Sequence, residues 1–181
     1  MKKFFLSFAI TLVSVVAFGQ TNQTDIPISA SIELADMVSA SKVTDVNFGG
    51  AYIPIKGSAT VAMDGKGVVT PTGTTLYDQT KQTLGAITIQ APAESQVQFA
   101  LSSPTVILTD NISDADEGVT KLTYTPQLYD GKGTAIDLTN PAYDFDDATY
   151  GTIYVGGSVA IPADSYRGLY TGSFTVSLVW I

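Results

Sequence analysis

Apolar and polar residues alternate one by one along several stretches of this chain, and this period of two predicts β-strands with one buried face. The clearest case is the final stretch, GLYTGSFTVSLVWI, in which the intervening residues are Thr175, Ser177 and Val179. The face predicted to be buried comprises Phe174, Val176, Leu178 and Trp180. A second alternating stretch is IPISASIELA, at residues 26–35. Its apolar face comprises Ile26, Ile28, Ala30, Ile32 and Leu34.

Short strands separated by turns are predicted for the rest of the chain. The 16 glycines and eight prolines recur at short intervals among Thr, Val, Ile and Tyr, a composition typical of all-β proteins. Strands are predicted within KVTDVNFGGAYIPI, LGAITIQAP, SQVQFALSS (continued by TVILT), KLTYTPQLY and IYVGGSVAIP, and a long connection within NPAYDFDDATYGT. The pattern predicts about nine to eleven strands in an antiparallel sandwich.

Two predicted hairpins share the turn sequence DGKG, at residues 64–67 and 130–133. Asp-Gly between alternating strands is a strong hairpin signal, because glycine adopts the positive φ that a tight turn requires. A loop that binds phosphate would need a longer glycine pattern leading into a helix. The sequence therefore favours turns over ligand loops at both places.

The first 19 residues have the features of a secretory signal peptide. Lys2 and Lys3 precede an apolar run at residues 4–18, and Ala17 and Gly19 supply small residues for cleavage. The run of 15 residues is shorter than the roughly 20 that a spanning helix needs. We therefore expect export, with residues 20–181 forming a single β-sandwich domain that has no membrane span.

Charge and composition exclude several classes of function. Without Lys2 and Lys3, seven basic residues face 17 acidic ones, so the net charge is about −10 and nucleic acid or an anionic membrane is a poor partner. The chain has no cysteine, and therefore neither disulfides nor a Cys-linked lipid anchor. It has no histidine, which removes Ser-His-Asp, Cys-His and His-metal sites. We expect no enzymatic activity and no cofactor, although a carboxylate pair could in principle hydrolyse a glycoside.

Two loop regions are candidate ligand sites. The stretch DNISDADEG at residues 110–118 could offer oxygens to calcium, although its spacing is not that of an EF-hand and a solvated loop is the simpler interpretation. The candidate calcium ligands are Asp110, Asp114, Asp116 and Glu117. An aromatic cluster nearby could stack on a sugar or could cap the core. It comprises Tyr143, Phe145, Tyr150 and Tyr154.

Three motifs carry a resemblance to a known family: Phe48-Gly49 in VNFGG, a turn-in at Val155-Gly156-Gly157, and Tyr170-Thr171-Gly172. Over about residues 28–181 the chain resembles a bacterial domain family of unknown function, number 4402, and is similar to Mat/Ecp-type fimbrial major subunits and spore-coat-U domains. Two features depart from that pattern: residues 110–150 hold nine of the 17 carboxylates, and the chain ends in Trp180-Ile181.

The resemblance implies an immunoglobulin-like antiparallel β-sandwich of the pilin type, exported to the periplasm, the cell surface or the medium of a Gram-negative bacterium. In chaperone–usher pilins a neighbour's N-terminal extension adds the missing strand. Such pilins carry a glycine 14th from the end and a penultimate aromatic residue, positions held here by Gly168 and Trp180. The implied partners are copies of this chain or related subunits, and a periplasmic chaperone.

An exposed apolar edge strand promotes aggregation, so we expect the last strand, which ends at Ile181, to be paired or covered. In the assembly hypothesis Gly168 and Gly172 allow close approach to that strand, and the apolar face of residues 26–34 pairs with it in a neighbouring copy. The alternative is that residues 26–35 form the domain's own first strand. A monomeric secreted module that binds calcium or glycan is the competing function.

Overall fold

The computed structural model describes residues 39–92, 95–110, 121–139, 142–145 and 150–180. All of them fall within one unit of the chain, Asp36–Ile181. These ranges contain thirteen strands and no helix, and hence no helix that could cross a membrane. Every pairing between the described strands is antiparallel, which confirms the predicted all-β sandwich class. The predicted signal peptide and the predicted strand at residues 26–34 lie outside the described residues.

The strands are more numerous than predicted because several are very short. Their bounds are β1 Ser39–Thr44, β2 Gly50–Ala51, β3 Ser58–Met63, β4 Val69–Thr72, β5 Leu76–Asp78, β6 Gly85–Gln90, β7 Ser95–Leu101, β8 Val106–Asp110, β9 Lys121–Tyr129, β10 Ala142–Phe145, β11 Tyr150–Pro162, β12 Tyr170–Thr171 and β13 Val176–Trp180.

Eight of these strands form one large sheet in the order β1-β6-β11-β9-β8-β12, with β3 beside β11 and β4 outside β3. A second sheet has the order β10-β7-β13, and β2 pairs with β5. Two predictions were wrong. The segment TVILT does not continue β7 but forms β8 in the large sheet, and the supposed long connection contains β10.

The longest strand, β11, changes partner halfway along its length. Residues 150–155 pair with β6, residues 157–162 pair with β3, and β9 pairs along the other edge. The change falls at Gly156 and Gly157, which lie within the strand. The predicted turn at Val155-Gly156-Gly157 was therefore wrong. Gly157 has φ +119°, and a Cβ there would collide with the carbonyl oxygen of Thr125. Both sheet halves therefore depend on a backbone contact that only glycine permits.

Two groups of buried side chains form the core. The first lies between the large sheet and the three-stranded sheet and comprises Ile89, Ala91, Val97, Phe99, Leu128, Ile153 and Val155. The second lies under the β3 half of β11 and comprises Ala59, Val61, Val106, Leu122, Tyr124, Val159 and Ile161. Phe174 packs against both groups, so it joins the two halves of the core.

The two DGKG turns fold in the same way. In each, the backbone N–H of the last glycine donates to the Asp carbonyl (3.1 Å in the first turn, 2.9 Å in the second), and Oδ1 of that Asp accepts two further backbone N–H groups. The positive φ lies at Gly67 (+77°) and Gly133 (+84°), and so at the second glycine of each turn and not at the Asp-Gly glycine. This is a tight turn followed by a glycine bulge.

The turns differ in what surrounds their first glycine. A Cβ on Gly65 would lie 2.6 Å from Cγ of Tyr129 and 2.7 Å from Cα of Gly133, whereas a Cβ on Gly131 would meet only the Thr152 carbonyl oxygen at 3.6 Å. The first DGKG turn is therefore packed against the second, while the second faces open space at the matching position.

We expect Gly65→Ala to lower the free energy of unfolding by about 1–3 kcal/mol, because the added methyl group overpacks a contact with backbone and a ring. The matched variant, Gly131→Ala, should change it by less than about 0.5 kcal/mol. Urea unfolding of both variants measures the difference. Equal losses in the two variants would contradict the contact between the turns.

Candidate functional site

The candidate site is the last strand, β13, which the alternating pattern predicted. Its residues 176–180 pair with residues 97–101 of β7 in antiparallel register. The start of the pairing is anchored by two hydrogen bonds: the Ser102 N–H donates to the Thr175 carbonyl (2.9 Å), and the Thr175 N–H donates to Oγ of Ser102 (3.1 Å). The strand is thus held in register from its first residue.

The alternation along β13 is confirmed. Phe174, Val176 and Leu178 are partly buried and pack against the core, whereas Thr175, Ser177 and Val179 are exposed. The structure does not describe the side chain of Trp180. The predicted core-facing side is therefore correct for the three residues whose side chains are described.

The core is less well covered at β13 than at its neighbour. Val97 and Phe99 of β7 are almost fully buried, whereas Val176 and Leu178 are only half-buried. The sheet order places β13 at one edge, and within the described ranges no strand pairs with its outer side. Val179, on the outer face, is 55 % exposed. Among the described strands, this edge therefore has no partner on one side of its backbone, and partly exposed apolar side chains lie beside it.

A row of three aromatic rings in contact supports the start of β13. The Phe174 ring packs edge-on against Tyr124 with centroids 5.8 Å apart, and Tyr124 packs edge-on against Phe48 at 5.5 Å. The Tyr124 hydroxyl donates to the Gly156 carbonyl at 2.6 Å, at the point where β11 changes partner. Burial raises the pKa of the Tyr124 hydroxyl, so this group keeps its proton at any ordinary pH.

The two glycines predicted to allow close approach in assembly lie against this chain's own β8. A Cβ on Gly172 would lie 2.8 Å from the Ile107 carbonyl oxygen and from Cδ2 of Leu108. A Cβ on Gly168 would collide with the Asp110 carboxylate. Gly168 thus positions the segment that leads into β12, and Gly172 positions the segment between β12 and β13.

The other predicted site residues are only partly described. The proposed partner face, Ile26, Ile28, Ala30 and Ile32, lies outside the described residues, as do Asp114, Asp116 and Glu117 of the calcium set. Asp110 ends β8. Burial of the Tyr170 hydroxyl raises its pKa, and the charge of Asp110 raises it further. Among the side chains that the structure describes, no three acidic groups are grouped as a metal site would require.

The predicted aromatic platform is divided between the sheets. Tyr143 and Phe145 belong to β10, which pairs with β7 in the three-stranded sheet, while Tyr150 and Tyr154 belong to β11. Tyr154 is half-buried. Its neighbours in a cleft between the DGKG turns include Leu84 and Lys132.

Sequence reasoning missed an exposed aromatic pair. Tyr52 (58 % exposed) and Tyr77 (64 % exposed) have ring centroids 5.1 Å apart. The Tyr77 ring lies over Gly50, where a Cβ would come within 2.6 Å of Cζ. The signal in the sequence was Gly50, two residues before Tyr52, since a residue without a side chain lets a ring pack flat against its backbone.

A comparison with models of known protein families matches most of this chain. Residues 38–180 match the model of a family described as "Domain of unknown function (DUF4402)". No curated protein matches the chain. The match includes β1 to β13 and begins after residues 26–35, the segment proposed as the partner strand.

We expect Tyr124→Phe to lower the free energy of unfolding at pH 7 by about 1–2 kcal/mol, because it removes a buried hydrogen bond to the Gly156 carbonyl. The raised pKa adds a second readout. Above about pH 10 the unfolded chain loses this proton while the folded chain keeps it, so the stabilisation is complete below that pH and falls as the pH rises. The variant should therefore lose stability less steeply than the parent above pH 10.

Tyr52→Phe is the matched control, because its hydroxyl belongs to an exposed side chain. Urea unfolding between pH 7 and pH 11 measures both effects. The interpretation of Tyr124 is wrong if both variants have the same stability and the same alkaline slope.

Proposed function

Given that the chain belongs to the DUF4402 family, we propose that it is an exported structural subunit, fimbria-like or on the cell surface, that assembles by β-strand pairing. The single observation that carries this proposal is the edge of β13. Its inward side chains are half-buried beside the fully buried ones of β7, and no described strand pairs with its outer side. An additional strand there would cover apolar surface and satisfy backbone groups at the same time.

Residues 26–34 are the proposed added strand, supplied by a neighbouring copy. Their alternation matches what a strand beside β13 needs, because every second side chain would point into the core. Burying four large side chains at about 1.5–3 kcal/mol each would contribute roughly 6–12 kcal/mol before ordering costs. A contact between subunits that is stabilised by this free energy could hold a filament together.

The finer likeness is to Mat/Ecp-type fimbrial major subunits and spore-coat-U domains, within an immunoglobulin-like sandwich of the pilin type. The motifs Phe48-Gly49 and Tyr170-Thr171-Gly172 support it. Copies of this chain or related subunits are the proposed partners. A periplasmic chaperone would cover the same edge before assembly, and the sequence of residues 1–19 supports export.

We expect purified residues 20–181 to form oligomers in light scattering and a heat-sensitive ladder on an unboiled SDS gel. Val179→Lys should abolish both, because a lysine on the exposed face of an edge strand opposes pairing with another strand. Since Val179 is 55 % exposed, the variant should fold normally.

Val43→Lys is the matched control. Val43 is a 60 % exposed valine on β1, an edge strand of the large sheet, so the chemical change is the same at a different edge. A parent chain that is monomeric at all concentrations contradicts assembly by strand pairing. Loss of oligomers in Val43→Lys alone would indicate that the subunits pair through β1 and not through β13.

Deleting residues 20–30 tests the donor strand directly. We expect the shortened chain to remain folded by circular dichroism and to lose the ladder, because the family match begins only at residue 38. A synthetic peptide of residues 20–35 should then bind to the shortened chain. A well-folded shortened chain that assembles as before would refute the donor role of this segment.

A further inference from the structure

The outer face of the large sheet has a regular set of small uncharged side chains. Strand register aligns Thr70, Ala62, Ser158 and Thr125 in one row across β4, β3, β11 and β9. The next row consists of Thr72, Thr60, Ala160 and Thr123. These residues alternate with the buried ones on the same strands, so their side chains point away from the core. None of the eight carries a charge, in a chain whose net charge is −8.

A groove of about 310 Å³ lies over the first of these rows. Hydroxyl side chains of Thr70, Ser158 and Thr125 line it, and Tyr129 and Asp64 complete its walls. The Tyr129 ring lies over Gly156, where a Cβ would come 3.1 Å from Cε2. Its hydroxyl donates to the Met63 carbonyl at 3.3 Å. The ring is therefore held across the sheet as one wall of the groove.

Two further polar groups in the groove are held in position by the fold. The Gln127 amide Nε2 donates to the carbonyls of Leu128 (3.0 Å) and Ile136 (3.1 Å), which leaves its oxygen as an acceptor of fixed orientation. Oδ1 of Asp64 accepts the N–H groups of Lys66 and Val68 in the first DGKG turn, which leaves Oδ2 for a ligand. Acceptors held in this way lose little conformational entropy on binding.

We propose that this groove binds a neutral saccharide. Threonine and serine hydroxyls both donate and accept hydrogen bonds, as sugar hydroxyls require, and the Gln127 and Asp64 oxygens accept further ones. The Tyr129 ring and Val68 offer apolar surface for the C–H groups of a sugar ring. The Asp64 carboxylate opposes anions, which favours a neutral sugar over a sialylated or sulfated one. The volume lies at the low end of ligand sites, which run from roughly 300 to 1,000 Å³, and suits one sugar unit of a longer chain.

This proposal does not depend on assembly through β13, because the groove lies on β3, β4, β9 and β11. The test begins with an array of neutral oligosaccharides built from glucose, galactose, mannose and N-acetylglucosamine, with sialylated and sulfated glycans as charged comparators. Any neutral glycan that binds is then titrated calorimetrically into residues 20–181 and into two paired-threonine variants.

Thr70→Val with Thr125→Val removes two hydroxyls from the groove, and we expect at least tenfold weaker binding. Thr72→Val with Thr123→Val removes two hydroxyls from the same strands and face, one row away, and should change binding less than twofold. Nuclear magnetic resonance of the parent chain adds a readout that needs no variant, since the amide signals of Gln127 and Ser158 should shift on titration.

Several outcomes would overturn the proposal. These are no binding of any neutral oligosaccharide at millimolar concentration, binding of charged glycans alone, equal effects of the two paired variants, or signal shifts confined to another surface such as the Tyr52 and Tyr77 pair.

Discussion

The close packing of backbone against backbone at Gly156 and Gly157 is the constraint on which the rest of the structure depends. Here β11 leaves β6 and joins β3 while β9 continues along its other edge. A side chain at Gly157 would meet the Thr125 carbonyl, and one at Gly156 would come 2.5 Å from the Met63 carbonyl. Because neither position has a Cβ, one strand can serve both halves of an eight-stranded sheet. The two groups of core residues follow from that arrangement.

The contacts around this glycine pair extend to the candidate site. The Tyr124 hydroxyl binds the Gly156 carbonyl from the core side, and the ring of Tyr124 supports Phe174. Phe174 lies where the chain crosses from β12 in the large sheet to β13 in the three-stranded sheet, and it packs against both parts of the core. The position of the last strand therefore depends on packing that begins some distance away, in the centre of β11.

The two proposed recognition surfaces lie on different parts of the sandwich and differ in kind. An open sheet edge, as at β13, offers backbone donors and acceptors and suits another strand, with little discrimination beyond the alternation of side chains. The outer face over Ser158 and Thr125 has its backbone groups paired within the sheet, so it can recognise a ligand only through side chains. Strand pairing and saccharide binding could therefore act in the same molecule without competing for the same atoms.

The sequence by itself determined those features that depend on neighbouring residues. Alternation predicted the all-β class and the core-facing side of Phe174, Val176 and Leu178, and the DGKG repeats predicted two turns, since turn geometry is set within a few residues. Tertiary structure alone decided which strands pair, that TVILT forms β8 in the large sheet, and that Gly156 and Gly157 continue a strand. It also brought Thr70, Ser158, Thr125 and Tyr129 to one groove. The physical reason is that a period of two reports which face is buried, whereas partner and register are set by contacts between segments far apart in the chain.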